Sequence, residues 1–189
     1  DESILYNKED IETITVNLHS CSVNNQNDLR RVKSLLETLL SVVVSHKSNQ
    51  VLKPYVDFSK PVASLNQLLS DITKALNGGE IGSLYWQMLC QVSSLTLKNV
   101  RNLLKTTVSL SNELYTSLLN NLLDYLVSIR LLLIKIDREC TASNKNHLES
   151  AALSILKCIC FVSTKCHFEM DELNKPANCA KFIGILRCF

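Results

Sequence analysis

The chain has few of the residues that interrupt regular secondary structure. Its 189 residues include four glycines and three prolines, and 6% of them are aromatic. A β-sandwich or a β-barrel needs many more turn residues between its short strands. The shortage argues against an all-β fold and favours long helices joined by few breaks.

Charge of one sign is also missing. The chain has 20 basic and 18 acidic residues, a net charge of +2, and its longest basic run is the pair Arg30 and Arg31. Proteins that bind nucleic acid concentrate Lys and Arg in patches that neutralise phosphates. The composition therefore predicts no nucleic-acid partner.

No uninterrupted apolar run has the length of a membrane span. The most apolar stretch covers residues 125–136 and is interrupted by Arg130 and Lys135. A spanning helix needs about 20 largely apolar residues. The stretch is therefore predicted to be a buried core helix, and no transmembrane segment is predicted.

Cysteine, in contrast, is abundant. An even number of cysteines at this density predicts four disulfides, and disulfides persist in oxidising compartments. The chain begins with Asp1 rather than Met, as a mature protein does after its signal peptide is removed. The sequence therefore predicts a secreted, extracellular protein with all eight cysteines in disulfides: Cys21, Cys90, Cys140, Cys158, Cys160, Cys166, Cys179 and Cys188.

The crowding of cysteines near the C-terminus suggests how they pair. On a helix, Cys158 and Cys160 point about 200° apart, so each needs a different partner. Cys21 and Cys90 are candidates to tie the N-terminal region to the third predicted helix. The other candidates would staple the C-terminal segment across the last helix, and they are Cys140, Cys166, Cys179 and Cys188.

A zinc site is the competing hypothesis for the C-terminal cysteines. Cys158, Cys160, Cys166 and His167 supply the four thiolate or imidazole ligands that zinc prefers. Their C-x-C-x5-C-H spacing is not that of a recognised zinc knuckle or ribbon, and it leaves the other cysteines unexplained. Disulfides are therefore preferred, and no metal or cofactor is predicted.

Apolar residues recur every three or four positions in five segments, which predicts five amphipathic helices. Asn27 or Asp28 is the expected cap of the first, and Asn77-Gly78-Gly79 is expected to end the second through a left-handed residue. The fourth is apolar over most of its circumference and is predicted to lie at the centre of the fold. The five segments cover about residues 29–45, 62–76, 81–104, 108–136 and 143–159.

The N-terminal residues show a different period. Ile14, Val16 and Leu18 alternate with polar residues, which is the pattern of a strand. Since a lone strand has nothing to pair with, the interpretation is an extended arm laid on the helices and anchored by Cys21. A helical turn is the competing interpretation.

These observations predict an all-α, single-domain antiparallel bundle of about five helices. Short links favour antiparallel neighbours, hence an up-and-down topology. No internal repeat at a fixed period is apparent. The predicted domain spans residues 1–189, with an N-terminal arm at 1–27, the bundle at 28–165 and a cross-linked C-terminal segment at 166–189.

No catalytic motif stands out in the sequence. A nucleophile elbow, a glycine-rich phosphate loop and a helical zinc-protease pair are all missing, so no enzyme is predicted. Trp86 lies off the apolar stripe of its helix, and it is either buried against another helix or an exposed anchor for a partner. The leading prediction is a secreted protein that binds an extracellular partner, such as a receptor, ligand or host factor, with Trp86 as the candidate contact.

The doubled leucines support one alternative function. Pairs such as Leu118-Leu119 and Leu122-Leu123 make the apolar faces wider than simple packing needs. Ordinary core filling explains this surplus, and so does the lining of a cavity, since ligand pockets are concave and mostly apolar. The alternative is therefore a carrier of a hydrophobic or lipid-like small molecule held between helices.

Overall fold

The protein is helical throughout the part that the structure describes. The computed structural model describes the backbone of residues 2–48, 57–106, 110–136 and 142–165. Over these ranges it contains six α-helices and no strand, which confirms the all-α fold and corrects the number of helices from about five. The helices are α1 (Glu2–His19), α2 (Gln26–Ser48), α3 (Ser59–Gly78), α4 (Leu84–Thr106), α5 (Asn112–Ile136) and α6 (Ala142–Lys165).

Short polar side chains cap α2 and α4. Ser83 Oγ accepts a hydrogen bond from the Trp86 amide at 3.1 Å at the start of α4. At the start of α2, Asn25 Oδ1 accepts from the Asp28 amide at 3.0 Å. The predicted cap, Asn27 or Asp28, is therefore wrong by at least two positions, because both residues already lie within the first turn.

The predicted extended arm is wrong, because α1 occupies this region. Ile11, Ile14 and Leu18 are buried, at 1%, 6% and 3% exposure, whereas Val16 is 68% exposed. The buried positions are three and four residues apart, which is the spacing of one helix face. The alternation seen in the sequence combined two buried residues with one on the solvent side.

The end of α3 also differs from the prediction. Gly79 is extended (φ −82°, ψ 153°), and the described glycine with a left-handed backbone is Gly82, at φ 88°, in the turn before α4. Gly79 is needed for space rather than for its backbone angles. A Cβ there would lie 3.2 Å from Trp86 Cδ1 and 3.0 Å from the Ala75 carbonyl oxygen.

The six helices form two layers of three. Three hairpins, α1–α2, α3–α4 and α5–α6, stack side by side, so that α1, α3 and α5 make the first layer. The second layer contains α2, α4 and α6. Within the described ranges, α2 has little contact with α3, and α4 has little with α5. The bundle is therefore a stack of hairpins rather than a simple up-and-down ring.

Helices of one layer run parallel to each other. Asn66 of α3 bonds to Ser117 of α5, and Asn77 bonds to Ser128 further along both helices. The second-layer helices begin at Gln26, Leu84 and Ala142, in two equal steps of 58 residues. Stacked helix pairs at a regular step are the geometry of repeat proteins. The expectation that the sequence has no internal repeat stays a prediction, because the spacing of the helices does not test it.

The most enclosed helix is α4 rather than the predicted α5. It packs against α2, α3 and α6, and even polar side chains such as Ser93, Thr96 and Asn99 are completely buried on it. α5 packs mainly against α3 and α6, and leaves Leu131 and Ile134 exposed. The apolar circumference of α5 predicted many neighbouring helices. The number of neighbours depends instead on where a helix lies in the stack, and α4 lies between two hairpins.

Candidate functional site

Trp86 is in the core, so the predicted exposed anchor is corrected. Its side chain is 0% exposed and its indole ring lies against Gly79. Three helices cover α4, so the buried part of its circumference is wider than the apolar stripe seen in the sequence. Trp86 lies in this wider buried part although it is off the stripe. Of the two interpretations of this residue, the structure shows the buried one.

Amide and hydroxyl side chains join α3 to α5. Asn66 Nδ2 donates to Ser117 Oγ at 2.8 Å, and Asn121 Nδ2 donates to Asn66 Oδ1 at 2.8 Å. Farther along, Asn77 Nδ2 donates to Ser128 Oγ at 3.0 Å. We call these five residues the amide seam. Asn66 and Ser128 are buried and Asn121 is half-buried, whereas Asn77 and Ser117 are exposed, so the seam lies along the edge of the α3–α5 contact. Because its groups bond to one another, the seam fixes the helix register and offers little to a ligand.

A strip of apolar residues is exposed on the last turns of α5. Leu131 and Ile134 are each 53% exposed, and half-buried Val127 lies one turn earlier on the same side. We call these three residues the outer strip. Toward the start of α5 the same side is polar and carries Glu113 and Asp124. Clustered exposed apolar residues with a polar border are typical of contact surfaces.

Two of the other exposed apolar residues, Leu153 and Val16, have exposed polar neighbours. Leu153 of α6 is 55% exposed among exposed Glu149, Ser150 and Lys157. Val16 of α1 is 68% exposed. Single exposed apolar residues are normal on a protein surface. These two positions therefore serve as controls for the outer strip.

The described cysteines do not form the predicted staple. No disulfide joins any two of Cys21, Cys90 and Cys158, so the suggested Cys21–Cys90 bridge is not formed. The side chains of the other five lie outside the described residues, as does the C-terminal segment 166–189. They are Cys140, Cys160, Cys166, Cys179 and Cys188.

The Cys158 thiol is shielded from reaction. It is completely buried, with Sγ 3.9 Å from the Leu97 carbonyl oxygen. Burial raises the pKa of Cys158 to about 12, although nearby Arg101 acts in the opposite direction. Since the thiolate is the reactive form, this thiol is inert at neutral pH. Burial also raises the pKa of half-exposed Cys21.

The competing zinc site also falls largely outside the described side chains. Of Cys158, Cys160, Cys166 and His167, only the Cys158 side chain is described. Within the described part of the chain, no three His, Cys, Asp or Glu side chains come together as metal ligands would.

By length and composition, one of the described helices could cross a membrane. The segment Asn112–Lys135 of α5 meets that criterion, even though Arg130 and Lys135 interrupt its apolar sequence. Half of its most apolar window is buried within the fold. The core helix of a folded bundle has the same length and composition.

The outer strip is the described surface on which a function can be proposed. Trp86 and the Cys158 thiol are buried, and the side chains of the amide seam bond to one another. The sequence does not reveal the strip, because α5 is apolar on most sides and its neighbours decide which residues stay exposed. The chain matches no protein-family model, and comparisons with curated proteins and with solved structures give no match.

Proposed function

We propose that the chain is a secreted helical protein that binds an extracellular protein through the outer strip of α5. The observation that carries this proposal is the pair Leu131 and Ile134, each 53% exposed and one turn apart. Large apolar side chains exposed together on a rigid helix are typical anchors of a protein contact. The proposal involves no catalysis.

The charges beside the strip indicate what kind of partner would fit. Exposed Asp124 lies toward the start of α5 and exposed Lys135 follows Ile134. A complementary partner presents an apolar groove with a basic group at one end and an acidic group at the other. Such charges set orientation, whereas burial of Leu131 and Ile134 supplies affinity of about 1 kcal/mol for each exposed half.

The binding experiment compares the strip with the isolated apolar positions. Wild-type protein would capture partners from extracellular fluid, and mass spectrometry would identify them. The dissociation constant would then be measured with the purified partner. Leu131→Glu and Ile134→Glu should each weaken binding at least tenfold, because a carboxylate cannot enter an apolar groove without losing its hydration.

The controls are Leu153→Glu and Val16→Glu, which introduce the same carboxylate at sites that are 55% and 68% exposed. Both should bind within twofold of wild type, and all four variants should keep the wild-type melting temperature. Equal weakening by the controls, or wild-type affinity in the strip variants, would contradict the proposal. A lipid-like molecule that co-purifies in native mass spectrometry would favour the carrier alternative.

Secretion and cross-linking form the second part of the proposal. Cys160, Cys166, Cys179 and Cys188 are an even set close together in sequence, which supports two disulfides among them. Alkylation without reductant, followed by peptide mapping, tests this. Cys21 should react in the native state and Cys158 only after unfolding, whereas the set of four should react only after reduction. Labelling of all four in unfolded, unreduced protein would show that they are thiols.

A further inference from the structure

The second layer carries lysines that are far apart in the sequence but belong to neighbouring helices. Lys33 lies on α2, Lys98 on α4 and Lys157 on α6. Lys98 and Lys157 are exposed, and Lys33 is half-buried. We call these three residues the lysine row. α4 has no acidic residue along its whole length, so no carboxylate of that helix offsets the charge of Lys98.

The contact between α2 and α4 sets the level of Lys33. Asn99 Nδ2 donates a hydrogen bond to the Leu36 carbonyl oxygen at 3.0 Å, and the two residues are 63 positions apart. The two helices are parallel, so the same offset relates the residues on either side of this contact. Lys33 therefore lies about level with Thr96 of α4.

The contact between α4 and α6 brings Lys157 to the same level. Cys158 Sγ lies 3.9 Å from the Leu97 carbonyl oxygen, and these residues are 61 positions apart. The offset places Lys157 about level with Thr96 as well. Lys98 is two residues further along α4, a rise of about 3 Å. The lysine row therefore crosses the three helices within about one helical turn.

The row faces away from the first layer. Lys98 lies between Leu97, whose carbonyl oxygen contacts α6, and Asn99, which contacts α2. Because α3 covers the inner side of α4, exposed Lys98 points outward between its two neighbours. On α6, Lys157 lies about 160° around the helix from Ile159, which is buried at 4% exposure.

The positive charge of the row is not neutralised by the residues that the structure describes. None of the three lysines forms an ion pair with another described residue. Half-buried Arg101 lies one turn after Lys98, and its Nε is buried without a hydrogen bond among the described contacts. Packed helices lie about 8–10 Å apart, which is about one Debye length at physiological salt. The charges of the row can therefore act together on one anion.

Acidic residues border the row and restrict the shape of its ligand. Exposed Glu37 of α2 lies one turn after Lys33, and exposed Glu149 of α6 lies two turns before Lys157. A flat anionic membrane would meet these carboxylates together with the lysines. A thread-like polyanion can follow the row across the helices, over about 20 Å, without meeting them. The arrangement therefore favours a linear anionic chain.

We propose that the lysine row binds a linear sulfated polysaccharide, which lies across the outer face of the second layer. Lysine ammonium groups bind such anions as point charges and make charge-assisted hydrogen bonds to them. The choice of a polysaccharide rather than a nucleic acid rests on the proposed secretion of the protein. No basic run in the sequence marks this site, because its members come from three helices. The outer strip belongs to the first layer, so the two surfaces are separate.

Calorimetric titration of the full chain with a size-defined heparin oligosaccharide, at physiological salt, tests the site. The combined change Lys33→Gln, Lys98→Gln and Lys157→Gln should raise the dissociation constant at least tenfold. It should also flatten the dependence of the dissociation constant on salt, because fewer charges contact the polymer. The melting temperature should stay as in wild type, since none of these lysines forms an ion pair with another described residue.

The matched control removes the same charge from the first layer. Lys60→Gln, Lys74→Gln and Lys135→Gln are combined at three exposed positions on α3 and α5, and the dissociation constant should stay within threefold of wild type. An equal loss in this control would overturn the proposal, because net charge alone would then attract heparin. Absence of heparin binding by wild type would also overturn it. So would a preference for a DNA oligonucleotide or for phosphatidylserine vesicles over heparin.

The variant Leu131→Glu separates this site from the proposed protein contact. It should bind heparin with wild-type affinity, because Leu131 lies on the first layer. Loss of heparin binding in this variant would place the polymer on the outer strip and overturn the proposal. Alkylation of the cysteines tests secretion separately, so failure of the lysine row and failure of the proposed function are distinguishable.

Discussion

The helices of the first layer and the helices of the second layer are joined by different kinds of interaction. In the first layer, α3 and α5 are joined by the amide seam, in which side chains bond directly to one another. In the second layer, α4 is buried by apolar contacts with α2 and α6, and the polar contacts between α4 and these two helices go to backbone carbonyl groups. Asn99 Nδ2 lies 3.0 Å from the Leu36 oxygen, and Cys158 Sγ lies 3.9 Å from the Leu97 oxygen.

This difference suggests that hydrogen bonds set the register of the first-layer helices, whereas apolar burial in the second layer supplies most of the stability. Hydrophobic burial is non-directional, so it fixes the relative position of two helices less sharply than directional hydrogen bonds do. The bonds Asn66–Ser117 and Asn77–Ser128 both join positions 51 residues apart, and a slip of one residue would break both. We therefore expect core substitutions in the second layer to cost more stability than substitutions in the seam.

The largest expected effect comes from Trp86. Trp86→Ala removes a fully buried indole and should lower the free energy of unfolding by about 3–5 kcal/mol. Denaturant unfolding followed by circular dichroism would measure it. Trp86→Phe should cost much less because it keeps most of the volume. A loss below about 1 kcal/mol for Trp86→Ala would show that the second-layer core does not depend on this residue.

The helices could be predicted from the sequence because their apolar period is local. Leu29, Val32, Leu36 and Leu39 recur at helical spacing, and all four are completely buried in α2. α1 was missed because Ile14, Val16 and Leu18 fit a period of two by coincidence. The order of the layers could not be read, since it depends on contacts such as Asn66 with Ser117, 51 residues apart.

The candidate site could be predicted less well than the fold. Val127, Leu131 and Ile134 do not differ in type from the buried leucines of α5, and only the position of neighbouring helices leaves them exposed. For Trp86 the prediction of an exposed anchor failed because α4 has an additional neighbour. Three helices pack on α4, and they cover the side that lies off its apolar stripe. The asparagines of the seam did give a signal: Asn66 and Asn121 stand among apolar residues.

A smaller effect is expected in the amide seam. Asn66→Ala removes the side chain that Ser117 and Asn121 share, leaves Asn121 Nδ2 only the carbonyl oxygen of residue 66 at 3.3 Å, and should cost about 1–2 kcal/mol of unfolding free energy. Gln67→Ala is the control, since exposed Gln67 lies next to Asn66 and bonds to Asp71 one turn further along the same helix. It should change stability by about 0.5 kcal/mol or less.

A double-mutant cycle would show whether the seam acts as a pair. Once Asn66→Ala is present, Asn121→Ala should cost less than it does in wild type, because its partner is already gone. Additive costs would mean that the two asparagines act independently. In that case the register of the first layer would depend on apolar contacts, as in the second layer.

The smallest expected effects are of opposite sign at two adjacent glycines. Gly78→Ala adds a methyl group with no neighbour within 4 Å and should stabilise the end of α3 by about 0.5 kcal/mol. Gly79→Ala places Cβ 3.0 Å from the Ala75 oxygen and 3.2 Å from Trp86 Cδ1, so it should cost about 1 kcal/mol. The melting temperature should move by about 2–4 °C per kcal/mol.

Combining Gly79→Ala with Trp86→Ala separates the two close contacts of the added methyl group. Removing the indole leaves only the Ala75 carbonyl oxygen near the new Cβ, and the cost of Gly79→Ala should fall in that background. An unchanged cost would assign the strain to the backbone of α3 alone. A reduced cost would show that the absent side chain at Gly79 is what lets the indole of the second layer pack against the end of a first-layer helix.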